Sequence, residues 1–169
     1  GCEFYTDNRG ASAGGTAAIY ISEGPSALIY NNIFHRPAHT RVIGVEHWNP
    51  NAMSGQVVRI YNNVFYGTSP FLSLGSENRS GYRQIHWVNN ICYAVGGAAN
   101  TVYINQDSGS NPTVINKNIY FNPLFNASEY LGWKLNGWTW ATLANVESVG
   151  FEKNGRYVNP VILDAAGNF

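Results

Sequence analysis

The sequence predicts an all-β fold built from short strands that recur in stacked repeats. Its 169 residues include 22 Asn and 18 Gly against 10 Lys and Arg together, and 14 % of the residues are aromatic. This composition favours strands joined by turns over helices. A motif centred on asparagine also returns along the chain at spacings of 31, 27 and 28 residues. The length corresponds to a single domain.

Charge and hydropathy exclude two classes of partner. Basic and acidic residues number ten each, the formal net charge is zero, and charged residues make up 12 % of the chain. No basic surface for a polyphosphate is expected, which excludes nucleic acid. No apolar run approaches the roughly 18 residues of a membrane span. The two cysteines, Cys2 and Cys92, allow one disulfide at most and therefore do not indicate a compartment.

Four segments align without gaps and define the repeat. They are residues 27–34 (ALIYNNIF), 58–65 (VRIYNNVF), 85–92 (IHWVNNIC) and 113–120 (TVINKNIY), aligned on Asn32, Asn63, Asn90 and Asn118. A shorter alternating segment lies about a dozen residues before each of them, at 19–21, 43–45, 72–74 and 102–104. Each repeat therefore holds at least two short strands.

Strand alternation assigns the faces of these segments, because successive side chains point to opposite sides. Two columns are apolar almost throughout and are predicted to point inward: Ala27, Val58, Ile85 and Thr113, then Ile29, Ile60, Trp87 and Ile115. Two mixed columns are predicted to face outward: Leu28, Arg59, His86 and Val114, then Tyr30, Tyr61, Val88 and Asn116. After the corner, Phe34, Phe65, Cys92 and Tyr120 share a position that is expected to re-enter the core.

The asparagine at each corner has two expected roles. Asn tolerates the left-handed backbone that a sharp corner requires. Its amide can also hydrogen-bond the equivalent Asn one repeat away, as in stacked Asn ladders. The sequence therefore predicts that Asn32, Asn63, Asn90 and Asn118 lie over one another.

A unit of this size cannot bury its apolar side alone, so the repeats must stack through parallel strand pairing. Here the chain resembles the right-handed parallel β-helix family, the pectate-lyase-like superfamily. The corners at 31–34, 62–65, 89–92 and 117–120 and the strands before them carry the resemblance, which covers about residues 16–123. Lys117 departs from the pattern because it replaces the first Asn of its corner. The resemblance implies a solenoid of about four to five coils over residues 1–123, followed by a cap over 124–169. A β-sandwich with coincidental Asn-Asn turns is the alternative, and a regular period across four gapless matches weighs against it.

The C-terminal part departs from the repeat. A short helix is predicted over residues 139–147, with Thr139 as its N-cap and an apolar stripe that includes Trp140 and Leu143. The tail from Gly150 onward is similar to the closing segment of bacterial secreted β-helix proteins. The resemblance implies a secreted or surface location and a chain that is the C-terminal part of a longer solenoid. Its open end would be covered by preceding coils or in a homo-oligomer.

Outward basic residues form one candidate site. Arg59 and His86 share a column on neighbouring repeats, and Arg83, His47 and Glu46 are expected nearby. In a uronate lyase, an Arg neutralises the sugar carboxylate so that the adjacent C–H becomes acidic, and a basic side chain takes the proton. Lyases of the resembled superfamily use basic residues in this way, but none of their catalytic motifs matches here position by position. The alternative is an ordinary surface Arg beside a hydrogen-bonded His.

Acidic residues that follow the shorter strands form a second candidate. They are Glu23, Glu46, Glu77 and Asp107, one in each repeat. Carboxylates on adjacent repeats would lie about 5 Å apart, a separation suited to a retaining glycosidase pair or to Ca²⁺. The hypothesis takes Glu46 and Glu77 as Ca²⁺ ligands and predicts no other cofactor. The alternative is that all four are solvated turn residues, since their offsets from the strand differ.

Aromatic side chains form the third candidate. Tyr30 and Tyr61 share an outward column and, with Glu46, are the predicted substrate-binding residues. Aromatic rings suit sugar faces, and they equally suit packing against loops or another chain. The sequence thus favours a secreted carbohydrate-active protein similar to polysaccharide lyases that act on acidic glycans. A non-catalytic adhesin, phage-spike-like or filament-forming module is the alternative from another class.

Overall fold

The described residues form three β-sheets whose strands pair almost entirely in parallel. The computed structural model describes residues 2–5, 17–22, 26–35, 41–46, 56–67, 71–74, 84–95, 104–106, 113–124, 130–135 and 138–161. Within these ranges the only helix is one of six residues. The predicted all-β class is therefore confirmed.

Each repeat contributes one strand to each sheet. Sheet A holds six strands in the order β1 (Glu3–Tyr5), β4 (Ile33–His35), β7 (Val64–Gly67), β10 (Ile91–Ala94), β13 (Ile119–Phe121) and β16 (Arg156–Tyr157). Sheet B holds β15 (Trp138–Thr142), β14 (Tyr130–Leu135), β11 (Ile104–Gln106), β8 (Leu72–Leu74), β5 (Arg41–Glu46) and β2 (Ala17–Ser22). Sheet C holds β12 (Thr113–Asn116), β9 (Gln84–Val88), β6 (Val57–Tyr61) and β3 (Ala27–Tyr30). Strands of successive repeats are direct neighbours in every sheet.

The register reproduces the alignment made from the sequence. In sheet C, Ile29 lies opposite Ile60, Ile60 opposite Trp87, and Trp87 opposite Ile115. In sheet A, Phe34 lies opposite Phe65 and Phe65 opposite Cys92. Residues that share a column in the sequence therefore share a position in space.

The apolar core lies between the three sheets, where the inward columns meet. Phe34, Phe65, Cys92 and Tyr120 are completely buried, as are Val58, Ile60 and Trp87. Aromatic rings stack within this core, with Phe34 and Phe65 face to face at 4.8 Å and Trp87 on the other side of Phe65 at 4.8 Å. The predicted facing of these columns is confirmed.

Three local expectations differ from the structure. The register of the segment expected at 102–104 differs: Ile104 pairs with Leu72, in the strand Ile104–Gln106, and Val102 and Tyr103 lie outside the described residues. The helix spans Leu143–Ser148 (α1), with Thr142 as its N-cap. The preceding residues, Thr139 and Trp140 among them, belong to strand β15. The hydrogen bond from the Asn145 amide to the Thr142 side chain places the N-cap three residues later than predicted.

Parallel pairing also extends beyond the four aligned repeats. At one end, Glu3 lies opposite Ile33, so residues 3–5 pair like the post-corner strand of an additional repeat. At the other end, two strands from residues 124–169 continue the parallel sheets: β14 pairs with β11, and β16 pairs with β13. Among the strands that the structure describes, only β15 is antiparallel to its neighbour. No helix among the described residues is long and apolar enough to cross a membrane.

Candidate functional site

The corners of the repeat assign two roles to two successive residues. Asn31, Asn62, Asn89 and Lys117 have φ values of 56°, 56°, 55° and 62°, in the left-handed region that Asn tolerates best among side-chain-bearing residues. The residue that follows each of them forms the amide ladder. The expectation that one Asn performs both roles is therefore wrong, because the left-handed residue points outward and its successor points inward.

The inner asparagines form a continuous hydrogen-bonded ladder. The backbone N–H and Nδ2 of Asn32 both donate to Oδ1 of Asn63, at 3.1 Å each. Asn63 donates in the same way to Asn90 at 3.1 Å, and Asn90 to Asn118 at 2.8 and 3.1 Å. The predicted stacking of these four residues is confirmed.

Three of the four ladder amides also bind the backbone of the preceding repeat. Nδ2 of Asn63, Asn90 and Asn118 donates to the carbonyl oxygens of Ile29, Ile60 and Trp87, respectively, at 3.0 Å. These asparagines are buried, and their amide groups are hydrogen-bonded on both sides. Buried polar groups that are satisfied in this way select one register of stacking, since a slipped repeat would leave them unpaired.

The ladder ends on the carboxylate of Glu152. The backbone N–H of Asn118 donates to Oε2 at 3.2 Å and its Nδ2 donates to Oε1 at 2.5 Å. The Tyr120 hydroxyl also donates to Oε1, at 2.8 Å. Every bond in the row runs in the same direction, from the Cys2 N–H, which donates to Asn32, to this carboxylate. The aligned amide dipoles therefore present their positive end to a negative charge.

A glycine makes room for that carboxylate. Arg156 lies opposite Ile119, so Gly155 stands where the next ladder asparagine would be. A Cβ on Gly155 would lie 2.5 Å from Oε2 of Glu152. Glu152 is completely buried. Burial raises the pKa of its carboxyl group, and the hydrogen bonds from Asn118 and Tyr120 oppose the rise.

The outer face of sheet C carries the basic pair. Arg59 lies directly opposite His86, with Leu28 on the other side of Arg59 and Val114 on the other side of His86. Arg59 is exposed and His86 is half-buried. The flanking Leu28 and Val114 are 53 % and 47 % exposed, which makes the row an apolar surface with one cation at its centre.

The two basic groups influence each other. Burial and the neighbouring Arg59 guanidinium lower the pKa of His86 below its usual value of 6.5. The imidazole is therefore neutral at neutral pH, whereas the guanidinium stays charged. A neutral base beside a cation that binds a carboxylate can abstract a proton from the adjacent carbon.

The predicted tyrosine column is present beside this pair. Tyr30 and Tyr61 lie in register two residues beyond Leu28 and Arg59. Their rings stack face to face, with centroids 5.2 Å apart and planes 9° from parallel. Each ring therefore covers one face of the other, and the ring edges and hydroxyl groups stay available to a ligand.

Accessibility differs between the sheets. In strand β5 of sheet B, the four successive residues Val42, Ile43, Gly44 and Val45 are buried, so both faces of that strand are covered. The outer face of sheet C is accessible at all four of its strands, through Leu28, Arg59, His86 and Val114. A ligand therefore reaches the pair without displacing part of the described chain.

Several predicted site residues lie outside the described residues. These are His47, Arg83 and Glu77, and the side chain of Glu46 is also outside, although its backbone ends β5. Among the residues that the structure describes, no three His, Cys, Asp or Glu side chains cluster to hold a metal ion. Cys2 and Cys92 are both free thiols, and burial raises the pKa of Cys92 well above its usual value.

The sequence interpretation missed the role of one polar residue and the backbone conformation of another. Glu152 lies in the tail, where its spacing from Asn118 does not match the repeat, and only the neighbouring Gly155 hints that the ladder position is vacant. Lys117 is visible as a departure from the corner pattern, but the sequence does not show that it adopts the left-handed conformation of the asparagines it replaces.

No protein-family model, no curated protein and no solved structure matches this chain.

Proposed function

We propose that the chain is part of a right-handed parallel β-helix of the pectate-lyase-like type that binds acidic polysaccharide on the outer face of sheet C. In this proposal it is a secreted or surface protein of bacterial origin, and it cleaves the polymer by β-elimination at Arg59 and His86. The observation that carries the proposal is the direct pairing of a charged Arg59 with a half-buried His86 whose pKa is lowered.

Each residue has a defined task in the reaction. Arg59 binds the carboxylate of a uronate unit and so makes the C–H beside it more acidic. His86 takes that proton, and the C–O bond to the next sugar breaks as a carbon–carbon double bond forms. The departing oxygen collects a proton from water. Tyr30 and Tyr61 contact neighbouring sugar units through ring edges and hydroxyl groups.

The assay detects the double bond directly. The protein is incubated with polygalacturonate, alginate and glycosaminoglycans, with and without Ca²⁺, and the ultraviolet absorbance of the unsaturated product is followed. The proposal takes Glu46 and Glu77 as Ca²⁺ ligands. Activity that persists unchanged in EDTA excludes a requirement for Ca²⁺.

Variants separate the site from the fold. Arg59→Gln and His86→Gln are each expected to lower the rate at least a hundredfold, the usual contribution of a general base being roughly 10² to 10⁴. Val114→Thr is the matched control, because it lies beside His86 in the same row and removes neither charge nor a titratable group. Full activity in both Arg59→Gln and His86→Gln would refute this site.

A non-catalytic glycan-binding module is the second candidate. It is favoured by the exposed apolar side chains around the pair, of which Tyr30 is 46 % exposed. Binding of polygalacturonate or alginate without any unsaturated product, in all buffers, would support this candidate and exclude the lyase.

A further inference from the structure

One corner residue, Lys117, adopts a backbone conformation that is more favourable for the asparagines at the equivalent corners. Lys117 has φ 62°, like the three asparagines at the equivalent positions. A left-handed conformation is less favourable for Lys than for Asn, whose short polar side chain tolerates it. A residue that occupies such a conformation against its preference is a reason to look for a function of its side chain.

Other exposed cations lie beside Lys117. Asn116 Oδ1 accepts from the backbone N–H of Lys117 at 2.9 Å and from that of Asn154 at 3.0 Å, which brings Lys153 next to the corner. Arg156 lies opposite Ile119, two residues beyond Lys117. Lys117, Lys153 and Arg156 are all exposed. Three positive charges therefore surround the last corner of the repeat.

These cations lack carboxylate partners in the described part of the chain. None of the three, nor Arg59, forms an ion pair with a described Asp or Glu. Of the two acidic side chains described, Glu152 is buried under the ladder and only Glu147 is exposed. Around this corner the three exposed cations therefore outnumber the two carboxyl groups of the described residues.

The corner lies close to the row that holds the basic pair. Val114 lies opposite His86, and Lys117 follows Val114 by three residues, about 10 Å along the chain. From the pair, the cations thus continue obliquely, first to Lys117 at the corner and then to Arg156 in sheet A.

We propose that Lys117, Lys153 and Arg156 form a cationic track that holds an acidic polysaccharide as it leaves the Arg59–His86 pair. This inference rests on the proposed function and names the direction in which the polymer lies. Successive carboxylates of the polymer contact successive cations, whereas a neutral polymer gains nothing from the track.

Lys117→Asn tests the track, because it removes the charge without an expected loss of stability. The variant restores the residue found at the other three corners, so the melting temperature is expected to stay equal or rise. Affinity for polygalacturonate, measured by calorimetric titration, is expected to fall about threefold, as for loss of one exposed ionic contact. Arg156→Gln is expected to cause a similar loss. Lys117→Arg retains the charge and is expected to bind like the wild-type protein.

Salt dependence and a neutral polymer complete the experiment. The affinity of Lys117→Asn is expected to depend less steeply on salt concentration than that of the wild-type protein. Binding of a neutral β-glucan is expected to be the same in both. If Lys117→Asn and Arg156→Gln bind polygalacturonate with wild-type affinity and salt dependence while Arg59→Gln loses binding, the track is refuted and the proposed function survives. If the wild-type protein binds neither polygalacturonate nor alginate, both are refuted.

Discussion

Two successive positions at each corner place different demands on the same amino acid. The first position requires the left-handed backbone, which Lys117 shows to be attainable without asparagine. The second requires a side chain with both a donor and an acceptor amide group, since Asn90 accepts from Asn63 and donates to Asn118. Only the second position therefore depends on the amide.

Removal of one ladder amide is expected to be costly. Asn90→Ala leaves the Asn63 backbone N–H without its side-chain acceptor and removes one hydrogen bond to the Ile60 carbonyl, both inside the core. Buried unsatisfied groups cost about 1 to 3 kcal/mol each, so we expect a loss of about 3 kcal/mol in the free energy of unfolding. Urea denaturation measures it.

The matched control is the neighbouring exposed residue. Asn89→Gly keeps the left-handed backbone accessible and removes only an exposed hydrogen bond to Asn62. We expect a loss below about 1 kcal/mol. Equal losses in the two variants would contradict the division of roles between the two positions.

The basic pair makes a separate prediction at the same scale. Because Arg59 contributes to lowering the pKa of His86, Arg59→Gln is expected to move that pKa upward toward 6.5. Burial still acts on the ring, so part of the depression remains. Titration of the His86 ring protons by NMR measures the shift. An unchanged or lower pKa in the variant would show that the two groups are not electrostatically coupled.

At the scale of elements, the part of the C-terminal segment from Glu152 to Tyr157 contacts the last repeat through one carboxylate and the backbone around it. The Glu152 N–H donates to the Ile115 carbonyl at 2.8 Å, and the Arg156 N–H donates to the Asn118 carbonyl at 2.9 Å. Tyr120 and Cys92 surround the carboxylate from β13 and β10, and Glu147 acts on it from α1. Burial of this charge makes the attachment depend on pH.

The sign of that dependence follows from the raised pKa. The folded protein binds the proton of Glu152 more tightly than the unfolded chain, whose usual value is 4.5. The contribution of this carboxyl group to stability is therefore complete below about pH 4.5 and is lost as the pH rises through the raised pKa.

Glu152→Gln isolates this contribution. The amide group introduced by the substitution would direct one N–H toward another donor, either the Asn118 amide and Tyr120 hydroxyl or the Asn118 backbone N–H, so the variant is less stable. We expect the stability of the wild-type protein relative to Glu152→Gln to be greatest in acid and to decrease toward neutral pH. Urea denaturation between pH 3 and 7 measures both proteins. A difference that is constant or increases with pH would contradict the assignment.

Much of the arrangement of elements could be predicted from the sequence. The strands around Asn63 and Asn90 were placed correctly because apolar alternation and the Asn corner act together there. The strand at Ile104–Gln106 was displaced because its segment has alternation but no corner to set the register. The sequence predicts Thr139 as the N-cap instead of Thr142, because both threonines are followed by apolar residues. Only the pairing of residues 138–142 with β14 distinguishes the two positions.

The candidate site could be predicted only where strand periodicity applies. Arg59 and His86 were placed side by side because they share a column, and their register confirms it. The sequence does not predict the roles of Glu152 and Gly155. Gly155 occupies the ladder position of its repeat, and the side chain that completes the ladder comes from Glu152, three residues earlier. Contacts made through loops have no period that a sequence pattern could reveal.

For the whole molecule, the essential feature is that equivalent residues of successive repeats are neighbours. Parallel pairing in three sheets brings the outward columns, the ladder and the core rings into rows, each about 4.8 Å from the next. The basic pair, the stacked tyrosines and the cations around Lys117 are all consequences of this arrangement. An antiparallel arrangement of the same strands would scatter them.

NMR spectroscopy of the amide protons tests this arrangement most directly. We expect nuclear Overhauser effects from the Asn63 backbone N–H to the Asn90 side chain, and from the Asn90 backbone N–H to the Asn118 side chain, 27 and 28 residues apart. Strong contacts between α protons of β6 and β9 would instead indicate antiparallel pairing. Their presence, together with absence of the asparagine contacts, would contradict the stacked arrangement.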